Sequence, residues 1–343
     1  MRPAKVLIIR FSSIGDILLT APAVAALRDA LMAPFEIHFL TKSSMRPVLD
    51  GFGQMIDQVH TINRSTTEVM PTLRDIEFDH IIDLHNNLRS RRVKRALGGI
   101  AFTLDKQNLA KWSLVRGWRT RPIPHIVWRY VESFGAAFGA EQPKEWPALF
   151  EGARVPDGLP PNFLVAALGA AHAGKQIPAT TFSAMFDACQ EVPWVLIGGP
   201  AERALGAQLA KSASGDVRNF AGSTSLAESA AILRHAALTI AGDTGMMHLS
   251  AAVGTPVVTL WGCTRPSLGM SAWPPSASAA NAMPGRSRPA ERPCSKLGDR
   301  CRYGEDRCIG TTPIDEVIAA AQAAVSAVAD DAVSSSAPRR TTP

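Results

Sequence analysis

The stretch ALTIAGDTGMMHLSAAVGTPVVTLWG, residues 237–262, limits what this chain can fold into more than any other. Leu238 to Ala241 is a short apolar run of buried-strand type, and Pro256 to Trp261 is a second. Between them, Gly242-Asp243-Thr244-Gly245 turns the chain and caps a segment of helical composition, Met246 to Val253, which Gly254 stops. Strand, helix and strand in this order imply a parallel pair joined by a crossover. That places Asp243, Thr244 and Gly245 at the carboxyl end of a strand, where open α/β sheets bind ligands. The first N–H groups of the helix face an incoming anion there, and His248 lies one turn in. Asp and Thr are also ordinary helix caps, so the local pattern alone leaves function open.

The rest of the chain repeats this theme. Val6 to Ile9 is a first apolar strand, followed by the small polar loop Arg10 to Asp16 and a helix from Ile17 to about Met32, bent or restarted at Pro22. Strands follow at Glu36–Leu40, Ile56–Ile62 and His80–Leu84, with helical segments near Met45–Gly51 and Val69–Ile76. Alternation on this scale predicts a parallel sheet. Pro143 to Pro161 is rich in Pro, Gly and charge and marks a domain boundary. The expected division is 1–158, 159–328 and a low-complexity, disordered tail at 329–343. In the second half, strands are expected at Phe163–Leu168 and Trp194–Ile197, with a short one near Asn219. Helices are expected at Thr180–Gln190, Leu205–Lys211, Leu226–His235 and Ile314–Val328. A chain of 343 residues fits two domains.

Several function classes fall away. Gly169 to Lys175 is almost a P-loop, but Gln176 stands where magnesium binding needs Ser or Thr. The loop remains suited to a diphosphate, with Lys175 as the cation. Gly51-Phe52-Gly53 does not complete a dinucleotide fingerprint, which argues against an oxidoreductase. Cys294, Cys301 and Cys308 are too widely spaced for a zinc ribbon. The net charge of +6 points to an anionic partner. Five of the seven residues from Arg89 to Arg95 are basic, and Lys106 to Tyr130 interleaves basic residues with Trp112, Trp118 and Trp128. Such a surface is either a solvated face with half-buried tryptophans or a site for an anionic membrane. No nucleic-acid motif is present. No signal peptide or membrane span is expected, and five cysteines suit a reducing compartment.

Taken together, the loops resemble those of the ADP-heptose:lipopolysaccharide heptosyltransferases, glycosyltransferase family nine. The matching segments are IIRFSSIGDILLTAPAVAALR at 8–28, DLHNNLRSRR at 83–92, LGAAHAGK at 168–175, LIGGPAE at 196–202, FAGSTSLAE at 220–228 and AGDTGMMHLSAAVGTPVVTLWG at 241–262. The resemblance implies a GT-B fold, two Rossmann-like domains facing across a cleft, with acceptor bound by the first and nucleotide-sugar by the second. It implies inverting transfer of heptose from ADP-heptose to a lipopolysaccharide inner-core acceptor of Kdo-lipid A type, with no cofactor and no metal. It further implies a cytoplasmic enzyme in peripheral contact with the inner membrane.

Asp16 falls on the family's catalytic carboxylate. A sugar hydroxyl is a poor nucleophile and needs such a base within reach. The nucleoside diphosphate leaving group needs its charge stabilised. The chain carries no D-x-D pair; Gly169, Lys175, Asp243, Thr244, Gly245 and His248 are the donor-site candidates. Gly198 and Gly199 are further donor-site candidates, and Glu202 is placed at the ribose hydroxyls. Arg10, Ser12, Ser13, Arg89, Ser90 and Arg92 are the acceptor candidates, since arginine forks suit carboxylates and phosphates. Gln176-Ile177-Pro178 departs from the aromatic that many members carry, so this loop bears on donor choice. Two alternatives stand beside this reading: a GT-B transferase using another nucleotide-sugar on a cell-envelope glycolipid, and a non-catalytic nucleotide-sugar binding protein.

Overall fold

The structure is a computed structural model. It describes residues 2–31, 34–284, 292–299 and 308–336, the last ten of these by backbone only. Two compact units divide the chain: Met1–Ala153 with Arg265–Pro275, and Arg154–Thr264 with Ser276–Pro343.

In the first unit, β1 (Ala4–Ile9), β2 (Phe35–Lys42), β3 (Gln58–Ile62), β4 (His80–Asp83) and β5 (Ile100–Thr103) form one sheet in the order β3-β2-β1-β4-β5. All of its pairings are parallel. Leu7, Ile9, Leu40, Ile62 and Ile81 put their apolar side chains into one core with Leu73 and Val93 from the covering helices. The near-continuous apolar runs of β1 and β4 follow from burial on both faces. The expected helix after β1 is two helices, Ile14–Leu18 and Ala21–Ala30, the second restarting with Pro22 near its N-terminus, where a missing N–H costs nothing. Strand β5 was not visible in the sequence. It is a largely exposed edge of four residues, too short for its Ile-Ala-Phe run to stand out.

The second unit contains β6 (Leu164–Ala167), β7 (Trp194–Ile197), β8 (Val217–Asn219), β9 (Leu238–Gly242), β10 (Val257–Leu260) and β11 (Ser278–Ala282), ordered β11-β10-β9-β6-β7-β8. These pairings are parallel too. Phe182, Met185 and Phe186 pack on Trp194 and Leu196 on one side of this core, and Val317 and Ala321 of the last helix belong to the same cluster. Strand β11 was also unforeseen. Its SAANA sequence has little strand propensity, and pairing with β10 creates it.

The units differ from the division expected at 158/159 in two ways. The boundary falls at Ala153, and residues 265–275 return to the first unit. Leu268 packs with Leu114 and Ile123. Ile123 N–H donates to Ser267 O and Ile126 N–H to Gly269 O, each at 2.9 Å, while His125 Nε2 meets Ser271 O at 3.0 Å. Gly269 has a φ of +74°, and a Cβ on it would lie 2.5 Å from Pro124 O, so both the turn and the close approach require glycine. The last helix, Asp315–Ser336, also continues through the first part of the expected tail. Its alanine-rich composition favours helix over coil. Residues 337–343 and Cys301 lie outside the described residues. Among the described residues, no helix is long and apolar enough to cross a membrane.

Candidate active site

Strand order places a crevice in each unit. In the first sheet the chain winds outward from β1 through β2 to β3, then returns to β4 on the other side of β1. In the second it winds from β6 to β8 and returns to β9 on the other side of β6. At such a switch point the loops leave the strands in opposite directions and open a space above their carboxyl ends. In both units the principal charged candidates stand there.

At the β1/β4 crevice, Arg10 leaves the end of β1 and is nearly buried. Its Nη2 pairs with Asp16 Oδ1 at 2.6 Å. Its Nη1 donates to Leu84 O at 2.6 Å and its Nε to Ser12 O at 2.9 Å. The other carboxylate oxygen of Asp16 accepts from Ser13 N–H at 3.0 Å and Ser13 Oγ–H at 2.9 Å. Asp16 is thus the third residue of the Ile14–Leu18 helix, closing a capping box with Ser13. Burial pushes its carboxyl up, but the Arg10 charge and the Ser13 hydrogen bonds outweigh it and hold the pKa at about 2. Beneath this group, buried Tyr130 donates its hydroxyl to Asp16 O at 3.3 Å and lies 5.9 Å from the Arg10 guanidinium. His85, just beyond β4, accepts from Phe11 N–H at 3.3 Å. Burial first, then Arg10 and Lys106, lower its pKa to about 4, so it is neutral at pH 7.

The acceptor candidates separate into two groups. Arg10, Ser12 and Ser13 gather around Asp16, with Arg10 committed to protein oxygens rather than presented to solvent. Asn87 caps the Leu88–Leu97 helix through Ser90 N–H at 2.9 Å, and the Ser90 hydroxyl is bound to Asn87 O. Ser90 is therefore buried within the helix cap. Arg89 and Arg92 are exposed on that helix. Asp83, at the end of β4, shapes the preceding loop by accepting from His85 N–H and Asn86 N–H, and it pairs with Lys94 at 2.9 Å.

At the β6/β9 crevice, Lys175 Nζ pairs with Asp243 Oδ2 at 2.7 Å. Thr264 donates its hydroxyl to the same oxygen at 2.7 Å. The loop after β6 approaches the ends of β9 and β10 so closely that side chains do not fit. A Cβ on Gly242 would lie 2.6 Å from Lys175 O, and one on Gly174 2.8 Å from both Cys263 Sγ and Gly298 O. Gly174 N–H donates to Gly298 O at 3.1 Å, and Cys263 N–H to Gly174 O at 3.3 Å. Thr244 caps the Gly245–Ala252 helix, and its buried hydroxyl has no hydrogen-bond partner. An unpaired buried hydroxyl at a helix N-terminus fits an anionic ligand. His248 is buried on that helix.

Gly169, Gly198, Gly199 and Glu202 also meet. Glu202 Oε2 accepts from Gly199 N–H at 2.8 Å. A Cβ on Gly169 would lie 2.9 Å from the Glu202 carboxyl carbon. Glycine at 169 and 198 therefore lets this carboxylate lie against the ends of β6 and β7. The sequence reading missed Thr264, Tyr130 and His85. Thr264 and Tyr130 reach their sites from distant chain positions, with no local pattern to mark them. His85 was marked only by its place beside Asp83 in the 83–92 segment. Among the described residues, no group of three or more His, Cys, Asp or Glu is disposed to hold a metal.

Two parallel-sheet α/β units of this design match the GT-B fold of solved heptosyltransferases. The chain belongs to glycosyltransferase family 9 (heptosyltransferase), whose model matches residues 67–298. Lipopolysaccharide heptosyltransferase 1 of Salmonella typhimurium is 26% identical over 298 residues, 77% of this chain and 90% of that protein. Among solved structures, a glycosyl transferase family 9 protein from Veillonella parvula has a TM-score of 0.72 at 19% identity, over 95% of this chain and 99% of that one. The E. coli heptosyltransferase WaaC with ADP has a TM-score of 0.63 at 22% identity, over 82% and 94%. WaaC is also known with ADP-2-deoxy-2-fluoro heptose.

Proposed function

We propose that this glycosyltransferase moves heptose from ADP-heptose to a lipopolysaccharide inner-core acceptor by a single inverting displacement. The observation that carries the reading is Asp16, a buried carboxylate fixed by Arg10 and Ser13 at the switch point of the first sheet. The acceptor hydroxyl attacks the anomeric carbon, the bond to the diphosphate breaks, and Asp16 takes the hydroxyl proton. A carboxylate with a pKa of about 2 is a weak base toward a resting alcohol. It receives the proton as the new C–O bond forms and the oxygen becomes acidic. Arg10 and Ser13 hold it ionised and aimed.

In the second unit, Lys175 and the N–H groups at the start of the Gly245–Ala252 helix balance the diphosphate, and the Thr244 hydroxyl donates to it. The donor draws Lys175 away from Asp243. Glu202 and the glycines beside it receive the ribose. Exposed Arg89 and Arg92 meet acidic groups of the acceptor. The ADP-bound relatives support the donor, and the name of the Salmonella relative supports the acceptor. The lipid-linked acceptor makes the enzyme peripheral to the cytoplasmic face of the inner membrane.

Calorimetric titration with ADP, UDP and GDP, with and without magnesium, tests the donor. Preference for ADP without a magnesium requirement is expected. Preference for UDP or GDP transfers the scaffold to another nucleotide-sugar. Binding of none removes the nucleotide-sugar donor and overturns the reading.

A further inference from the structure

The helix Asn108–Arg116 carries its apolar side chains on the wrong face for a simple amphipathic helix. Leu114 is buried against Ile123 and Leu268, which anchors one face to the first unit. At 100° per residue, Leu109, Trp112 and Arg116 share the opposite face. Leu109 is 82% exposed and Trp112 44%. The helix ends at Gly117, whose φ of +77° suits only glycine without strain, and its N–H closes on Leu114 O. Trp118 N–H then bonds Ser113 O at 2.9 Å, turning this 71% exposed indole back along the helix. The Trp112 and Trp118 rings meet edge to face, with centroids 4.7 Å apart and planes at 89°. The Arg116 guanidinium lies 5.3 Å from the Trp112 ring centroid.

The result is a raised apolar knob of Leu109, Trp112 and Trp118, set in a basic segment. Lys106, Lys111, Arg116, Arg119 and Arg121 occur between residues 106 and 121, and no acidic residue does. Burying these side chains against the unit would be favourable, so an outward array of this kind marks an interaction surface. Tryptophans beside arginines suit one partner chemistry in particular. The ring enters the boundary between headgroups and acyl chains, and the guanidinium stays with the phosphates. An anionic bilayer meets both parts at once, its phosphates the basic rim and its headgroup–acyl boundary the indoles. We infer that the Asn108–Arg116 helix and the turn through Arg121 form the docking surface for an anionic phospholipid bilayer. The inference deepens the proposed function, since it rests on the acceptor being lipid-linked.

Sedimentation of the full chain with vesicles of phosphatidylglycerol and phosphatidylcholine, and of phosphatidylcholine alone, tests it. Binding to the anionic vesicles, weakened by salt, is expected. Leu109→Ser and Trp118→Ser should each weaken it about tenfold or more. Arg116→Gln should weaken it about fivefold. All three residues are exposed, and an unchanged thermal transition will verify folding. Transfer to a deacylated, water-soluble acceptor should be unchanged in the three variants. No vesicle binding by the parent chain, or binding indifferent to lipid charge and to the variants, overturns the surface. Loss of transfer to the soluble acceptor in the variants overturns it too, assigning the knob to a glycan instead. Failure of the parent chain to transfer sugar to any acceptor, with vesicle binding intact, refutes the proposed function and leaves the surface standing.

Discussion

The two switch points hold the same chemical pair, a cation against a carboxylate, built in opposite ways. In the first unit both partners come from one short segment, the loop after β1 and the helix it enters: Arg10 and Asp16 are separated by six positions and pair at 2.6 Å. The guanidinium is pinned by two carbonyl oxygens and the carboxylate by Ser13. In the second unit Lys175 and Asp243 come from the loops after β6 and β9, far apart in sequence, and pair at 2.7 Å. The ammonium stands on a flexible stem, and the unpaired Thr244 hydroxyl is next to Asp243 in sequence. The first pair is suited to keeping a carboxylate in place, the second to exchanging partners when an anion arrives. Arginine and lysine suit these tasks respectively.

The comparison breaks first at Asp16. Asp16→Asn should lower the transfer rate by about 10²–10⁴ while leaving ADP affinity unchanged, measured by turnover and calorimetry. Retained turnover would remove the base from the first unit. Next, Lys175→Met should weaken ADP binding by roughly ten- to a hundredfold. Adding Asp243→Asn should recover part of the loss, because it removes the carboxylate left without its cation. If the double variant binds no better than the single, the pair does not exchange partners.

Arg10→Gln sharpens the contrast. The Asp16 pKa should rise from about 2 toward its ordinary value of 3.8, seen as an upward move of the acid limb of kcat/KM. A static limb would mean that Ser13 alone sets the carboxylate. The smallest expected effect concerns acid stability. In the first unit burial lowers the pKa of His125 to about 4 and depresses His38 and His60. The unfolded chain binds these protons near pH 6.5 and the folded chain does not. Stability is therefore full above pH 6.5 and falls as pH drops toward 4, by about 2 kcal/mol at pH 5 for His125. Hydrogen exchange at pH 7 and pH 5 should show the first unit loosening; equal protection at both values contradicts this.

Legibility followed the same local and distant division. The Asp16 loop was readable because a capping box, a glycine and an arginine fall within a few residues, and these set the geometry by themselves. The alternation of apolar runs gave the two parallel sheets, since strands buried on both faces must be apolar along their length. Lys175 and Asp243 were each readable as candidates but not as partners. The burial of Ser90 was not legible, because a buried cap and an exposed hydroxyl share one sequence pattern.

What the sequence determined by itself was the strands, the loops at their carboxyl ends and the helix caps, because these depend on side chains close along the chain. The strand order, the return of residues 265–275 to the first unit, β5 and β11 as sheet edges, and the approach of Gly174 to Cys263 and Gly298 were decided only by the tertiary structure. Each depends on backbone hydrogen bonds and packing between segments far apart in the chain. Small or exposed residues, such as SAANA in β11 or IAFT in β5, carry no periodicity that would announce them.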